Sequence, residues 1–466
     1  MDSSVIGVNV EGRIDFVVSL TDALKDIEGR SGVVSAFPGY WQEREREGEG
    51  GGVGGGGVSV GRESETTLKK AAAVPLVAAA ERSQRLLPGF VDTHCHAPQA
   101  AFAGAGTNTP LLEWLEKFTF PTEARFRNPS AWADSVFTYA VSSSLSAGST
   151  TVSYFGTQHA AASVQLGRIA SEAGQRALIG KVCMDRHSPP DYTEADAASS
   201  LAATRDFVAQ IRALGDDRIL PILTPRFVPS CTFDLMKGLG DLAKEEDLHV
   251  QSHVGENPDE IAWVASLHPE AESYSDVYRR AGLLGRRTVL AHGVYLSDAE
   301  VAMLRESGTA IAHCPLSNYT LHSGVAKIRR LLREGVAVGL GTDVAGGYDL
   351  SMWSAMRHAI TTSSVVFMTE GRDHETAAPL GHLEALWLAT RGGAASLDLD
   401  TDLGCLTPGQ LFDAIVVDAA APGTRIRVDD YDTDETLVEK MVYLADDRNV
   451  THVFVRGQEC KGRNAV

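Results

Sequence analysis

At 466 residues, with 44% hydrophobic and 22% charged residues, the chain can bury a large core and has the composition of an ordinary folded protein, not of a disordered or fibrous one. A formal net charge of -19 with no concentrated basic patch argues against nucleic acid or an anionic membrane surface as partner, because both would repel it. The longest nearly apolar window, AAAVPLVAAA at 71–80, is too short to span a bilayer, and six scattered cysteines without a CxxC pair or a secretory segment point to a reducing, cytoplasmic home.

The first feature along the chain is GEGGGVGGGG at 48–57, which offers no side chains to a core and is expected to form a flexible excursion. From Pro88 onward, short runs rich in Val, Ile and Leu alternate with segments of helical period, the pattern of βα units around a parallel sheet. Strands are predicted over 90–96, 150–155, 177–184, 219–226, 248–253, 288–292, 309–313 and 336–343, and eight such strands close an α/β barrel. Helices between them include 131–147, ended by Gly148, and 297–307, opened by a Ser297-Asp298-Ala299-Glu300 capping box and closed by Gly308.

Polar residues gather at the carboxyl ends of these strands. His94 and His96 end the first, Arg226 the fourth, His253 the fifth, His292 the sixth, His313 the seventh and Asp343 the eighth. In a closed barrel these ends form one rim, where active sites are built. Within VDTHCH, alternate residues share a face, so His94 and His96 can both look toward the axis while Cys95 points at the helices. A lone histidine is ordinarily a hydrogen-bonded structural residue. Two imidazoles on one strand end, joined by a third imidazole and a carboxylate from facing strands, form a nitrogen and oxygen set suited to zinc and acceptable to iron.

The runs PGFVDTHCHAPQAAFAG, PLLEWLEKFTFPTEARF, GKVCMD, TPRF, QSHVGEN, AHGVYLS, IAHCPLSN, GLGTDVAGGY and YLADDRN lie within 88–449. They resemble the amidohydrolase superfamily of metal-dependent hydrolases and, within it, the guanine deaminases. HxH and HxxE are shared by many amidohydrolases, whereas PLLEWLEKFTFP and GTDVAGGY look specific to that branch. The resemblance implies a (β/α)8 TIM-type barrel over 88–395, flanked by a small composite β-sandwich from 1–87 and 396–466. It also implies one zinc per chain on His94, His96, His253 and Asp343; with Arg226 and no lysine ending the fourth strand, nothing there bridges a second metal. His292 matches the residue that orients the attacking water, Glu256 the proton shuttle, and Gln99, Arg226 and Phe227 the purine-binding positions. The implied activity is hydrolysis of guanine to xanthine and ammonia by a homodimer.

Such chemistry needs these residue types. An aromatic amine is a poor leaving group on a poor electrophile, and zinc helps by lowering the pKa of a water toward about 7. Asp343 would take that water's proton, while Glu256, just before a helix starting at Asn257-Pro258, would protonate a ring nitrogen beside the attacked carbon. Arg226 offers donors to a carbonyl such as that on C6, Gln99 can donate and accept, and Phe227 can stack on the base. Cys95 and Cys314 are expected to be packing residues, Gly346 and Gly347 to form a tight turn over the site, and His313 is left outside the catalytic set. Another aminohydrolase of the superfamily, acting on a different purine, pyrimidine or triazine, would use the same ligands; PLLEWLEKFTFP speaks against it. The zinc deaminases that need P-C-x-x-C are excluded, because that motif is absent.

For the sandwich, LGCLTPGQLFDAIVVD at 403–418 and HVFVRGQE at 452–459 look like the family's return strands. VIGVNVEGRIDFVVSL resembles an inner hairpin of that sandwich, and the resemblance leads one to expect an N-terminal sheet short of its first strands, which would lie ahead of Met1.

Overall fold

The computed structural model describes residues 4–8, 12–19, 82–128, 130–372 and 378–461; the glycine tract and the apolar window at 71–80 lie outside these. A hairpin of β1 (Ser4–Val8) and β2 (Ile14–Ser19) and strand β3 (Gln84–Pro88) precede the barrel. Eight parallel strands follow in the hydrogen-bonded order of the chain: β4 (Phe90–His96), β5 (Ser149–Phe155), β6 (Arg176–Gly180), β8 (Ile219–Pro225), β9 (His249–Val254), β10 (Thr288–His292), β11 (Ala310–His313) and β12 (Val338–Leu340). The expected strand at 177–184 is split. It breaks at Lys181, whose buried ammonium turns aside to Glu194 at 2.5 Å, and resumes as the two-residue β7 (Val182–Cys183) beside β8.

Helix ends follow their sequence signals. The helix Ala131–Ser146 starts with Ser130 Oγ accepting from Ala133 N and stops before Gly148 at φ +101°. Both arms of the Ser297–Glu300 capping box form ahead of Asp298–Ser307, which ends on Gly308 at φ +75°.

Within the barrel, Val91, Leu178, Ile222, Val289, Ala291, Ala310 and Ala312 form an inner core that Ala394, Leu397 and Leu403 extend, while Phe90, Cys95, Val250, Leu290 and Ile311 belong to the larger core shared with the helices. The ladder runs from β4 to β12, and these two edges are joined by a short set of bonds. Thr93 Oγ1 donates to Leu340 O at 2.9 Å, Thr342 N to Asp92 Oδ1 at 3.0 Å, Asp343 N to His94 O at 2.9 Å and His96 N to Val344 O at 3.2 Å. Closure of the sheet therefore brings the first and last strand ends, with His94, His96 and Asp343, into direct register.

Beside the barrel, β3 pairs with β13 (Ala414–Asp418), followed by β14 (Val450–Val455) and β15 (Gln458–Lys461), in one antiparallel sheet. The hairpin joins it through an Arg13–Leu411 bridge and through Ile14, buried against Phe412, Ala414, Val416 and Phe454. Asp413 links this sheet to the barrel: its carboxylate accepts from Arg176 Nε at 3.1 Å and from Arg456 N at 2.7 Å, with both side chains of the ion pair buried. Asp413→Asn removes the charge facing a buried guanidinium, and breaking such a pair costs about 3–5 kcal/mol. The urea midpoint of the variant is expected to fall clearly below that of the parent chain.

Candidate metal and active site

Backbone irregularities aim the side chains at the barrel mouth. Val91 is in the inner core and Thr93 lies against Gly339, so regular alternation would send His94 outward. Pairing of β4 with β5 shifts register between Asp92 and Cys95, which inverts the phase: His94 and His96 face the cavity and Cys95 the helices. His292 follows the inward Ala291 and would likewise point outward. Its left-handed backbone, φ +75°, turns the ring into the cavity, and Asp343 has the same conformation at φ +49°. Such strained residues cluster at functional sites. After Asp343 the chain turns tightly, with Gly347 N bonded to Asp343 O at 2.6 Å. A Cβ on Gly346 would meet Ser317 Oγ at 2.4 Å and one on Gly347 would meet Thr342 O at 2.1 Å, so both positions need glycine.

His94, His96, His253 and Asp343 each turn one donor atom toward a common point, the four atoms lying within 4.8 Å of one another. The Nε2 atoms of His96 and His253 face each other at 3.2 Å, and Asp343 Oδ1 stands 3.1 Å from His94 Nε2 and 3.3 Å from His96 Nε2. His253 Nδ1 donates to the Arg226 carbonyl at 2.5 Å, which leaves the Nε2 lone pair for that point. His94 Nε2 is buried, close to Asp343 but off any hydrogen-bond direction. Burial, with His94 nearby, holds His96 down to about 4; burial and the adjacent imidazoles keep His253 well below the usual range. For Asp343 burial acts upward, but His94 and His96 override it and hold the carboxyl well below its usual range. The imidazoles of His96 and His253, held in the neutral form, and an ionised Asp343 carboxylate converge with His94 Nε2 on one point, a donor set that fits a divalent metal of the zinc class.

A second cluster joins His292, Cys314 and Asp343. Burial, then Asp343, pushes the Cys314 thiol well above its usual range, and burial does the same to Cys95, so neither is a ready thiolate. The buried Lys181 ammonium is taken up by Glu194.

Next to the donor set, His292 Nδ1 donates to Asn318 Oδ1 at 2.9 Å, and its Nε2 stands 3.3 Å from Glu256 Oε2 and 3.7 Å from Asp343 Oδ2. Glu256 precedes the helix Pro258–Leu267, capped by Asn257 as expected, and accepts from Ser323 Oγ at 2.7 Å. Burial, helped by Asp343, pushes Glu256 up to about 8. Two carboxyl groups side by side are thus driven in opposite directions, one proton-bearing and one ionised at neutral pH, as acid and base assignments require.

Gln99, Arg226 and Phe227 are all buried at this mouth. Phe227 meets Trp263 edge-on at 6.3 Å between centroids. Gln99 and Arg226 both bond to Glu123, a residue that sequence reasoning did not single out. Asn318, Ser323 and Asp92 were missed too: the first and last lie inside IAHCPLSN and VDTHCH, but no spacing marks Asn318 as the partner of His292 or Asp92 as the partner of Thr342. His313 is out of phase with the inward Ala310 and Ala312, and neither of its ring nitrogens has a hydrogen-bond partner; burial holds it down to about 3.

An amidohydrolase family model matches residues 85–460. Guanine deaminase of Dictyostelium discoideum is 44% identical over 376 residues, covering 81% of this chain and 82% of that protein. Among solved structures, guanine deaminase from C. acetobutylicum with guanine bound in the active site superposes with a TM-score of 0.76 at 35% identity, over 81% of this chain and 87% of that one. An adenosine deaminase from Xanthomonas campestris with bound zinc reaches a TM-score of 0.71 at 26% identity, covering 82% of each chain.

Proposed function

This chain belongs to the amidohydrolase family and is a metal-dependent hydrolase that deaminates guanine, and we propose that it does so with a single zinc held by His94, His96, His253 and Asp343. The observation that carries this reading is the convergence of those four donor atoms beside a carboxyl pair of opposite protonation. When bound, the metal supplies Lewis acidity that makes a water nucleophilic near neutral pH.

The chain's own groups do the rest. Arg226 donates to the C6 carbonyl of guanine, Gln99 bonds to the ring edge and Phe227 packs against the base, which together present C2 to the attacking water. His292, its Nδ1–H held by Asn318, offers Nε2 to that water and orients it. Asp343 accepts the water's proton. Glu256 delivers its proton to the ring nitrogen beside C2, then takes the proton that remains on the added hydroxyl as the C2 carbonyl forms and passes it to the departing amine; the C2–N bond breaks, xanthine and ammonia leave, and the water proton held by Asp343 restores Glu256. A homodimer in the cytoplasm is the assembly and location this reading carries with it.

Glu256 must be protonated to act as the acid, and it is protonated below about 8. The value of kcat/KM for guanine is therefore expected to fall as pH rises through about 8, while Asp343 stays ionised far below neutrality; a pH–rate profile flat to pH 10 would contradict the assignment.

The direct test is ammonia release from guanine, adenine, cytosine and a triazine in parallel, with bound metal measured on the same sample. Release from guanine with one zinc per chain is expected. Metal without release from guanine would keep the site and return the substrate to another purine, pyrimidine or triazine.

A further inference from the structure

The run PLLEWLEKFTFPTEARF marks the sequence strongly, yet none of its side chains takes part in the chemistry above. We propose that Glu123, near the end of this run, is a positioning residue that sets guanine specificity by holding Arg226 and Gln99 in one rigid frame. The inference rests on the reading of those two residues as purine-binding groups.

Glu123 is 0% exposed, on the helix Phe120–Ala124. Its Oε1 accepts from Gln99 Nε2 at 2.9 Å, and its Oε2 accepts from Arg226 Nη1 at 2.7 Å and from Tyr192 Oη at 2.8 Å. Three residues earlier on the same helix, the Phe120 ring lies 5.2 Å from Arg226 Cζ. One short segment thus gives the guanidinium both a counter-charge and an aromatic face. Among the described residues, this is the one side-chain hydrogen bond Arg226 makes, so its other N–H groups remain for a ligand.

The frame continues in both directions. Gln99 Oε1 accepts from Ala345 N at 3.1 Å, in the turn that follows Asp343, and the Arg226 carbonyl accepts from His253 Nδ1. The purine-binding groups are therefore tied through Glu123 to the chain segments that present two of the metal donors.

Physical chemistry explains why a carboxylate is needed here. Arg226 is 2% exposed, and the C6 carbonyl of guanine is neutral, so the base cannot balance the buried charge; an unpaired buried cation is strongly disfavoured. A carboxylate is also acceptor-only. With Ala345 N–H fixing Gln99 Oε1, the amide must turn Nε2 to Glu123, and its second N–H and second lone pair are left in defined directions. An amide at position 123 would set a donor against Gln99 Nε2 or Arg226 Nη1 and release that constraint.

The experiment compares guanine with 2-aminopurine, which carries the C2 amine but lacks the C6 oxygen and reports its own binding by fluorescence. In Glu123→Gln, kcat/KM for guanine is expected to fall about 100-fold, mostly through KM, as misplacement of positioning groups does. The dissociation constant of 2-aminopurine should rise only about threefold, because that ligand shares the Gln99 contact at the ring edge but has no Arg226 contact to lose. Metal content should be that of the parent chain.

Tyr192→Phe removes one donor to Glu123 and leaves the other two. It should raise KM for guanine by a few-fold with kcat unchanged, and it provides the test should Glu123→Gln fail to fold. Equal losses for both ligands, or an unchanged guanine preference in a folded variant, would overturn the proposal and leave Glu123 a structural residue. Failure of the underlying reading has a different signature: the parent chain itself would show no preference for guanine over 2-aminopurine, and the proposal would fall with it.

Discussion

Glu256→Gln is expected to lower kcat for guanine by about 10³-fold while one metal per chain is retained, since general acid catalysis contributes roughly 10²–10⁴-fold. The amide matches the carboxyl in shape and can still accept from Ser323 Oγ, which now bonds Oε1 at 2.7 Å. No donor atom of the His94, His96, His253 and Asp343 set is displaced. What is lost is the proton that burial and Asp343 keep on Glu256 up to about 8, and an amide cannot supply it to a ring nitrogen. Steady-state kinetics with metal analysis of the same preparation reads both quantities. Activity near that of the parent chain would show that the proton comes from elsewhere, with Glu260, next to Glu256 in the structure and itself pushed up to about 7 by burial, the first alternative to examine.

The eight strands and the rim of polar residues were legible because burial on both faces makes each strand a compact apolar run, and because a barrel places functional groups at carboxyl ends. Phe90–His96 and Thr288–His292 were placed to the residue, and the Ser297 capping box was readable as a local pattern. The direction of each side chain was less accessible. Plain alternation gave the right answer for His94 and His96 only because a register shift at Asp92–Cys95 restores the phase that Val91 and Thr93 would have denied them. Nothing local in AHGVYLS foretells the left-handed turn at His292. Longer-range partners were harder still. Glu123 is 24 residues from Gln99 and 103 from Arg226, and Asp92 is 250 from Thr342, so only closure of the barrel brings them together. The resemblance carried the run holding Glu123 but not a role for it.

His94→Ala should separate metal holding from chemistry in the opposite sense to Glu256→Gln, with both metal and activity lost. The imidazole of His94 packs edge-on against the rings of His96, His253 and Phe155, at centroid distances of 4.9, 4.8 and 4.8 Å, and its Nε2 points at the shared centre without a hydrogen bond. Its removal leaves three donors and a cavity where the fourth stood. Disturbing the outer partners of a ligand alone costs 10- to 100-fold in metal affinity, so loss of a ligand should exceed about 100-fold. The fold has reason to survive, because the bond that closes the barrel here uses the carbonyl of residue 94, which accepts from Asp343 N at 2.9 Å and is present in alanine too. A thermal midpoint only modestly lowered, with metal content near zero, is the expected pair of results. Free imidazole fits the vacated space and should restore part of the metal and part of the activity together. A His94→Ala protein that keeps its metal and its turnover would remove His94 from the donor set and reopen the choice among His96, His253 and His292.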